Sequence, residues 1–140
     1  TGRRDSWGQP LRYRVDRDYT GAAPADGSSF ALATIGNLEI ADGNGDGIVA
    51  PSPPVSGAPA VIVSFGPQGR QVWGGALPCS TTSPPAGFSV DEAENCDNDA
   101  TFVAAGYREP DAGAGRFDDL LIWIPDPVLK ARMVDAGRLP

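Results

Sequence analysis

The chain contains no histidine. That absence removes Ser-His-Asp and Cys-His nucleophilic catalysis, histidine-ligated zinc and histidine pH switching together. Lysine is nearly missing as well. Ten arginines are joined by Lys130 alone, and 18 acidic residues leave a net charge of −7. Such a chain is a poor partner for nucleic acid, whose phosphates need clustered cations. No run of about 18 apolar residues occurs, so no segment is long enough to cross a bilayer as an α-helix. The chain does not open on Met or on a signal segment, and Thr1 reads as an imposed or processed boundary rather than a gene start. There are only two cysteines, Cys79 and Cys96, and no C-x-x-C motif, which argues against redox catalysis and zinc. In an exported protein this pair forms a disulfide; in a reducing compartment it would be two buried thiols.

What is present describes a folded, turn-rich chain. Its 140 residues suit one domain with a core, and 41% hydrophobic content is enough to build it. With 18 glycines and 14 prolines, short strands and long loops are favoured over a helical bundle. Leu11-Arg12-Tyr13-Arg14-Val15 alternates with period two. It predicts a half-buried strand with Leu11, Tyr13 and Val15 inward and both arginines in solvent, like Arg3, Arg4 and Arg17 around them. Trp7, before Gly8 and Pro10, reads as a core anchor. Residues 20–29 read as a loop, and 30–35 as a strand continued by Leu38-Glu39-Ile40.

Prolines at 51, 53, 54 and 59 exclude helix and central strand from that stretch. Ala60 to Phe65 is a continuous apolar run, predicting a strand buried on both faces and stopped by Gly66-Pro67-Gln68-Gly69. Residues 74–100 read as irregular, 100–105 as a short strand and 118–124 as the last strand. Asp126 then caps a short helix with Pro127 in its first turn, Val128, Leu129, Arg132 and Met133 on one face, and Gly137 at its end. No internal repeat or linker is visible. The predicted class is α+β: a small, mainly antiparallel sheet with long loops and a short C-terminal helix, in one domain over 1–140.

Three groups of acids invite a chemical reading. Asp42-Gly43-Asn44-Gly45-Asp46-Gly47-Ile48 matches the first half of a calcium loop, with Asp42, Asn44 and Asp46 as side-chain oxygen donors and Ile48 offering its carbonyl. Pro53 stands where an EF-hand needs its bidentate acid, so an EF-hand is excluded. A simpler calcium turn and a plain Asx-rich turn both remain. The second group, Asp91 to Asp99, carries five carboxylates in nine residues. Asp91, Glu94, Asp97 and Asp99 are candidate calcium ligands there, against a solvated acidic loop pinned by Cys96. The third, Asp118-Asp119, has its side chains on opposite faces of a strand, so it is not a catalytic pair. Pairing with an arginine such as Arg116 or Arg132 is the reading taken. With no nucleophile or proton shuttle beside them, no catalytic residue is assigned and the protein is read as a non-enzyme.

Two stretches at the ends of the chain carry a resemblance. They are Asp5-Ser6-Trp7-Gly8-Gln9-Pro10 running into Tyr13, and Phe117-Asp118-Asp119 before an apolar run, followed by Leu129-Lys130-Ala131-Arg132-Met133-Val134-Asp135-Ala136-Gly137-Arg138-Leu139-Pro140. Together with the acidic stretch before Phe102-Val103, they resemble the globular part of type IV pilin-like proteins, minor pilins or type II secretion pseudopilins. The resemblance implies a structural subunit of a filament acting in pilus assembly or protein secretion. A hydrophobic N-terminal helix would precede Thr1 and anchor the precursor in the inner membrane, with other pilin or pseudopilin subunits as partners and the periplasm or cell surface as location. Major pseudopilins also carry calcium in a late loop, which bears on the second acidic group. The rival reading is a secreted adhesin module binding sugar or protein through Trp73, Trp123 or Tyr107.

Overall fold

The run Ala60–Ser64 (β4) is apolar at nearly every position and becomes the central strand of a sheet, because only a strand flanked on both sides buries such a run. In the computed structural model, which describes residues 3–20, 30–111 and 113–138, β4 pairs antiparallel with Arg12–Val15 (β1) on one edge and Leu120–Ile124 (β6) on the other. A second three-stranded sheet is built from Glu39–Ala41 (β2), Gly47–Val49 (β3) and Thr101–Val103 (β5). There β2 and β3 form an antiparallel hairpin, and β2 and β5 run parallel. The helices are a short turn at Gly69–Gln71 (α1) that widens into a π turn over Val72–Ala76, then Val90–Cys96 (α2) and Asp126–Asp135 (α3). The fold is α+β with mostly antiparallel pairing and a C-terminal helix, in two small sheets rather than one. No helix among the described residues is long and apolar enough to cross a membrane.

Between the sheets lies one core. Val61, Val63 and Phe65 from β4 and its end meet Leu38 and Ile40 from β2, Phe102 from β5, and Ala93 and Cys96 from α2. Cys79 is joined to Cys96 as a disulfide with Cα atoms 5.2 Å apart, and the Cys79 amide donates to the Cys96 carbonyl at 2.9 Å. The 74–100 stretch is therefore tied to the core through α2 despite its irregular path.

Several expectations are overturned. The face of β1 is inverted: Arg12 is buried and Tyr13 is 64% exposed. Arg12 sits opposite Val63, on the side where α2 ends, and its guanidinium donates to the carbonyls of Asn95 (2.8 Å) and Asp97. An arginine can line a core face when its stem packs and its head finds carbonyls. Trp7 is exposed in a turn closed by the Asp5 carboxylate, which accepts from the amides of Trp7 (3.0 Å) and Gln9 (2.8 Å). The aromatic contact to the core comes from Trp73 instead, edge-on to Phe65 at 6.2 Å, with its indole N–H bonded to the Pro10 carbonyl. Residues 30–35 form a turn rather than a strand, because the Thr34 hydroxyl accepts from the Ala31 amide and Thr34 N–H returns to the Ala31 carbonyl. The acidic stretch is helical from Asp91 to Cys96, and only Asp97 to Asp99 lie in the turn that follows. Asp126 does not cap α3: Pro125 holds the cap position, and the buried Asp126 carboxylate accepts from the Tyr19 hydroxyl and pairs with Lys130 at 3.0 Å. The expected loop over 20–29 lies outside the described residues except for Thr20, as do Leu139 and Pro140 of the tail motif.

Candidate functional site

Helix α2 organises the acidic side chains. It begins at a capping box: the Ser89 hydroxyl accepts from the Glu92 amide at 3.2 Å, and the Glu92 carboxylate accepts from the Ser89 amide at 3.0 Å. Ser89-x-x-Glu92 is a legible start signal, and it is what a reading of this stretch as loop missed. The helix turns Ala93 and Cys96 into the core, together with Asn95. Asn95, inconspicuous in the sequence, is the residue that ties the helix to its neighbours. Its side-chain amide donates to the Val103 carbonyl (2.9 Å) and to Asp119 (2.9 Å), and accepts from the Val103 amide (2.8 Å). It thereby serves as a substitute neighbour along the free edge of β5.

With the helix held this way, the acids of 91–99 separate. Glu94, Asp97 and Asp99 converge where α2 ends, each offering a carboxylate oxygen within 4.8 Å of the others. Asp91, the fourth expected ligand, points elsewhere and forms an ion pair with Arg108. The turn after α2 is held by its own carboxylates: Asp97 accepts from the Asp99 amide (3.0 Å) and Asp99 from the Thr101 amide (2.7 Å). Partial burial, then the charges of Asp99, Asp97 and Asp91, push the Glu94 carboxyl up to about 7. Burial likewise raises Asp97. Three hard oxygen donors crowded until one resists ionisation are a set that could hold a metal ion.

The Asp42 group is built differently. It forms the β2–β3 turn, where one Asp42 oxygen accepts from the amides of Asn44 (2.8 Å) and Asp46 (2.9 Å). These backbone bonds hold the Asp42 carboxyl below its ordinary value. The side chains of Asn44, Asp46 and Ile48 are exposed. Hydrogen bonds within the turn close it, an arrangement that a plain Asx turn and a calcium turn have in common.

Asp118 pairs with Arg116, one of the two arginines considered for it, with Nε 2.6 Å from the carboxylate. Asp119 faces inward to Asn95 instead. Among the three aromatics of the adhesin reading, Tyr107 is exposed, Trp123 is half-buried against the core, and Trp73 is tied to Phe65 and Pro10. Comparison of the chain with protein-family models, curated proteins and solved structures gave no significant match to any of them.

Proposed function

We propose that this chain is the globular head of a type IV filament subunit, a minor pilin or pseudopilin, working by assembly rather than catalysis. The observation that carries the reading is the outer face of the β1–β4–β6 sheet. Tyr13, Ile62 and Ile122 stand in one cross-strand row, flanked by Leu120 on one side and by Val15 and Ile124 on the other. Tyr13 is 64%, Ile122 69% and Leu120 60% exposed. A sheet apolar on both faces needs a cover on each. The inner face has α2 and the second sheet. The outer face fits an apolar helix entering from before Arg3, the segment that the Asp5-to-Tyr13 resemblance implies. Burying a side chain of this size is worth about 1.5–3 kcal/mol when complete, so a row of them would seat a helix firmly.

In this reading the acids Glu94, Asp97 and Asp99 hold calcium, which neutralises the end of α2 and fixes the path into β5. Calcium is preferred to magnesium because the donors are irregularly placed and magnesium demands a strict octahedron.

The test is made on the whole gene product. Its coding region should begin with a G-F-T-L-x-E segment and about 20 apolar residues. Ile122→Cys combined with a cysteine placed on that helix should then form a disulfide under a mild oxidant, and Ile122→Asp should abolish filament assembly while leaving the melting temperature of the 140-residue domain within about two degrees. An upstream region without an apolar segment, or a saturable fluorescence response to sugars with no assembly phenotype, would overturn the reading in favour of an adhesin.

A further inference from the structure

A second set of carboxylates lies towards the other end of α2 and shares no member with the cluster just described. Glu92, Asp118 and Asp119 each bring a carboxylate oxygen within 4.8 Å of the other two. Ligands held at 2.3–2.6 Å from one ion can stand at most about 5 Å apart, so these three oxygens fall within a single coordination shell. Their surroundings are closed. Glu92 is fully buried, with one oxygen accepting from the Ser89 amide (3.0 Å) and the other from the Asp118 amide (3.2 Å). Asp119 is 4% exposed and uses Oδ2 for Asn95. The Asp118 side chain is 8% exposed and uses Oδ2 for Arg116. That leaves Asp118 Oδ1 and Asp119 Oδ1, both buried and both without a hydrogen-bond partner among the described residues.

Buried carboxylate oxygens left in this state are costly unless something positive meets them. Arg116 is the cation facing the group, with Nε 3.9 Å from Glu92 as well as bonded to Asp118. When all three are ionised, three carboxylates against one guanidinium leave two negative charges, the charge of one divalent cation; burial raises the Glu92 and Asp119 carboxyls, and a bound cation would offset that. Access is provided too. A cavity of about 280 Å³, lined by Trp7, Pro67, Tyr107 and Leu120 together with Asp118 and Asp119, adjoins the group on its solvent side. Gly66 packs closely on Asp118: a Cβ there would lie 2.8 Å from Oδ1, so a side chain at this position would crowd that oxygen.

We propose that Glu92, Asp118 and Asp119 form a buried site for a hard divalent cation of the calcium class beside this cavity. The ion clamps the start of α2 to the entry of β6, joining the two segments that Arg116 and the hydrogen bond from the Asp118 amide to Glu92 already bring together. The site does not depend on filament assembly or on the carboxylates of Glu94, Asp97 and Asp99.

The experiment uses calcium chloride on the chelator-stripped 140-residue chain, with calorimetry for stoichiometry and thermal melts for stability. Asp97→Asn disables the loop and should leave one equivalent of calcium bound, with a rise in melting temperature of several degrees. Adding Asp119→Asn should remove that equivalent and the rise, while the double variant still melts cooperatively in chelator. Terbium in place of calcium should give luminescence sensitised through the aromatic rings of the cavity, reduced in the Trp7→Phe/Tyr107→Phe variant. The proposal is overturned if Asp97→Asn binds no calcium, or if Asp119→Asn leaves binding unchanged. It is equally overturned if Asp119→Asn raises the melting temperature in chelator while the parent shows no calcium response, since the trio then holds protons.

Discussion

Replacing Asn95 with alanine removes a side chain that ties α2 to both sheets. Three hydrogen bonds are lost, two with Val103 and one with Asp119. Their partners stay behind in a buried place. β5 is an edge strand of its sheet, so the Val103 amide and carbonyl have Asn95 where a neighbouring strand would otherwise stand. Each orphaned group costs about 1–3 kcal/mol. Allowing for relaxation and entering water, the variant should lose about 4 kcal/mol, a large share of the roughly 5–15 that a domain possesses. At about 3 °C per kcal/mol for a chain of this length, the melting temperature should fall by about 12 °C. Urea unfolding followed by tryptophan fluorescence would read the same loss, with the midpoint moved and the slope unchanged. Asn95→Asp is a sharper companion. It keeps the acceptor for the Val103 amide, loses both donors, and sets a second carboxylate beside Asp119. Burial already raises the Asp119 carboxyl well above its ordinary value. The variant should therefore weaken further as pH rises and both acids are pressed to ionise. A loss below about 1 kcal/mol for Asn95→Ala would refute the reasoning, because water or backbone movement would then be satisfying Val103 without the amide.

Other outcomes follow from neighbouring contacts. The folded Glu94 carboxyl, raised from 4.5 to about 7, holds its proton more tightly than the unfolded chain does. In chelator, stability should therefore fall as pH rises through that window. Solvent screening limits the effect to about 1 kcal/mol, and Glu94→Gln should flatten the slope measured by melts at stepped pH. Replacing both Cys79 and Cys96 with serine should cost about 3 kcal/mol in a urea titration, because the disulfide closes a loop of 17 residues; thiol titration of the unreduced, unfolded parent should find none free. Gly66→Ala should cost about 2 kcal/mol by the same titration, since φ is +54° there and the new methyl meets Asp118; an unchanged midpoint would show that both adjust freely.

Much of the local structure was legible in the residues. The apolar run of β4, its stop at Gly66, the strand after Asp119, the helix opened by Pro125 to Pro127 and ended at Gly137, and the Asp42 turn all rest on patterns a few residues long. Such patterns act through backbone sterics and neighbouring hydrogen bonds, so they need no knowledge of the rest of the fold. The start of α2 belonged with them, as Ser89 and Glu92 spell a capping box, a signal set among so many acids that charge alone does not reveal it.

The tertiary structure decided what each acid and each strand face meets. Alternation in β1 separates Leu11, Tyr13 and Val15 from Arg12 and Arg14, yet it carries no sign saying which set faces the core. That choice came from β4, apolar on both sides, and from the carbonyls at the end of α2, which gave the Arg12 guanidinium a buried partner. In the same way, spacing groups Asp91 with Glu94, Asp97 and Asp99. The helix instead sends Asp91 to Arg108 and sets Glu92 against Asp118 and Asp119, about 26 residues away along the chain. A sequence specifies periodicity and charge because these are properties of neighbours. Which carboxylates become a cluster is a property of packing, fixed only when the long-range contacts close.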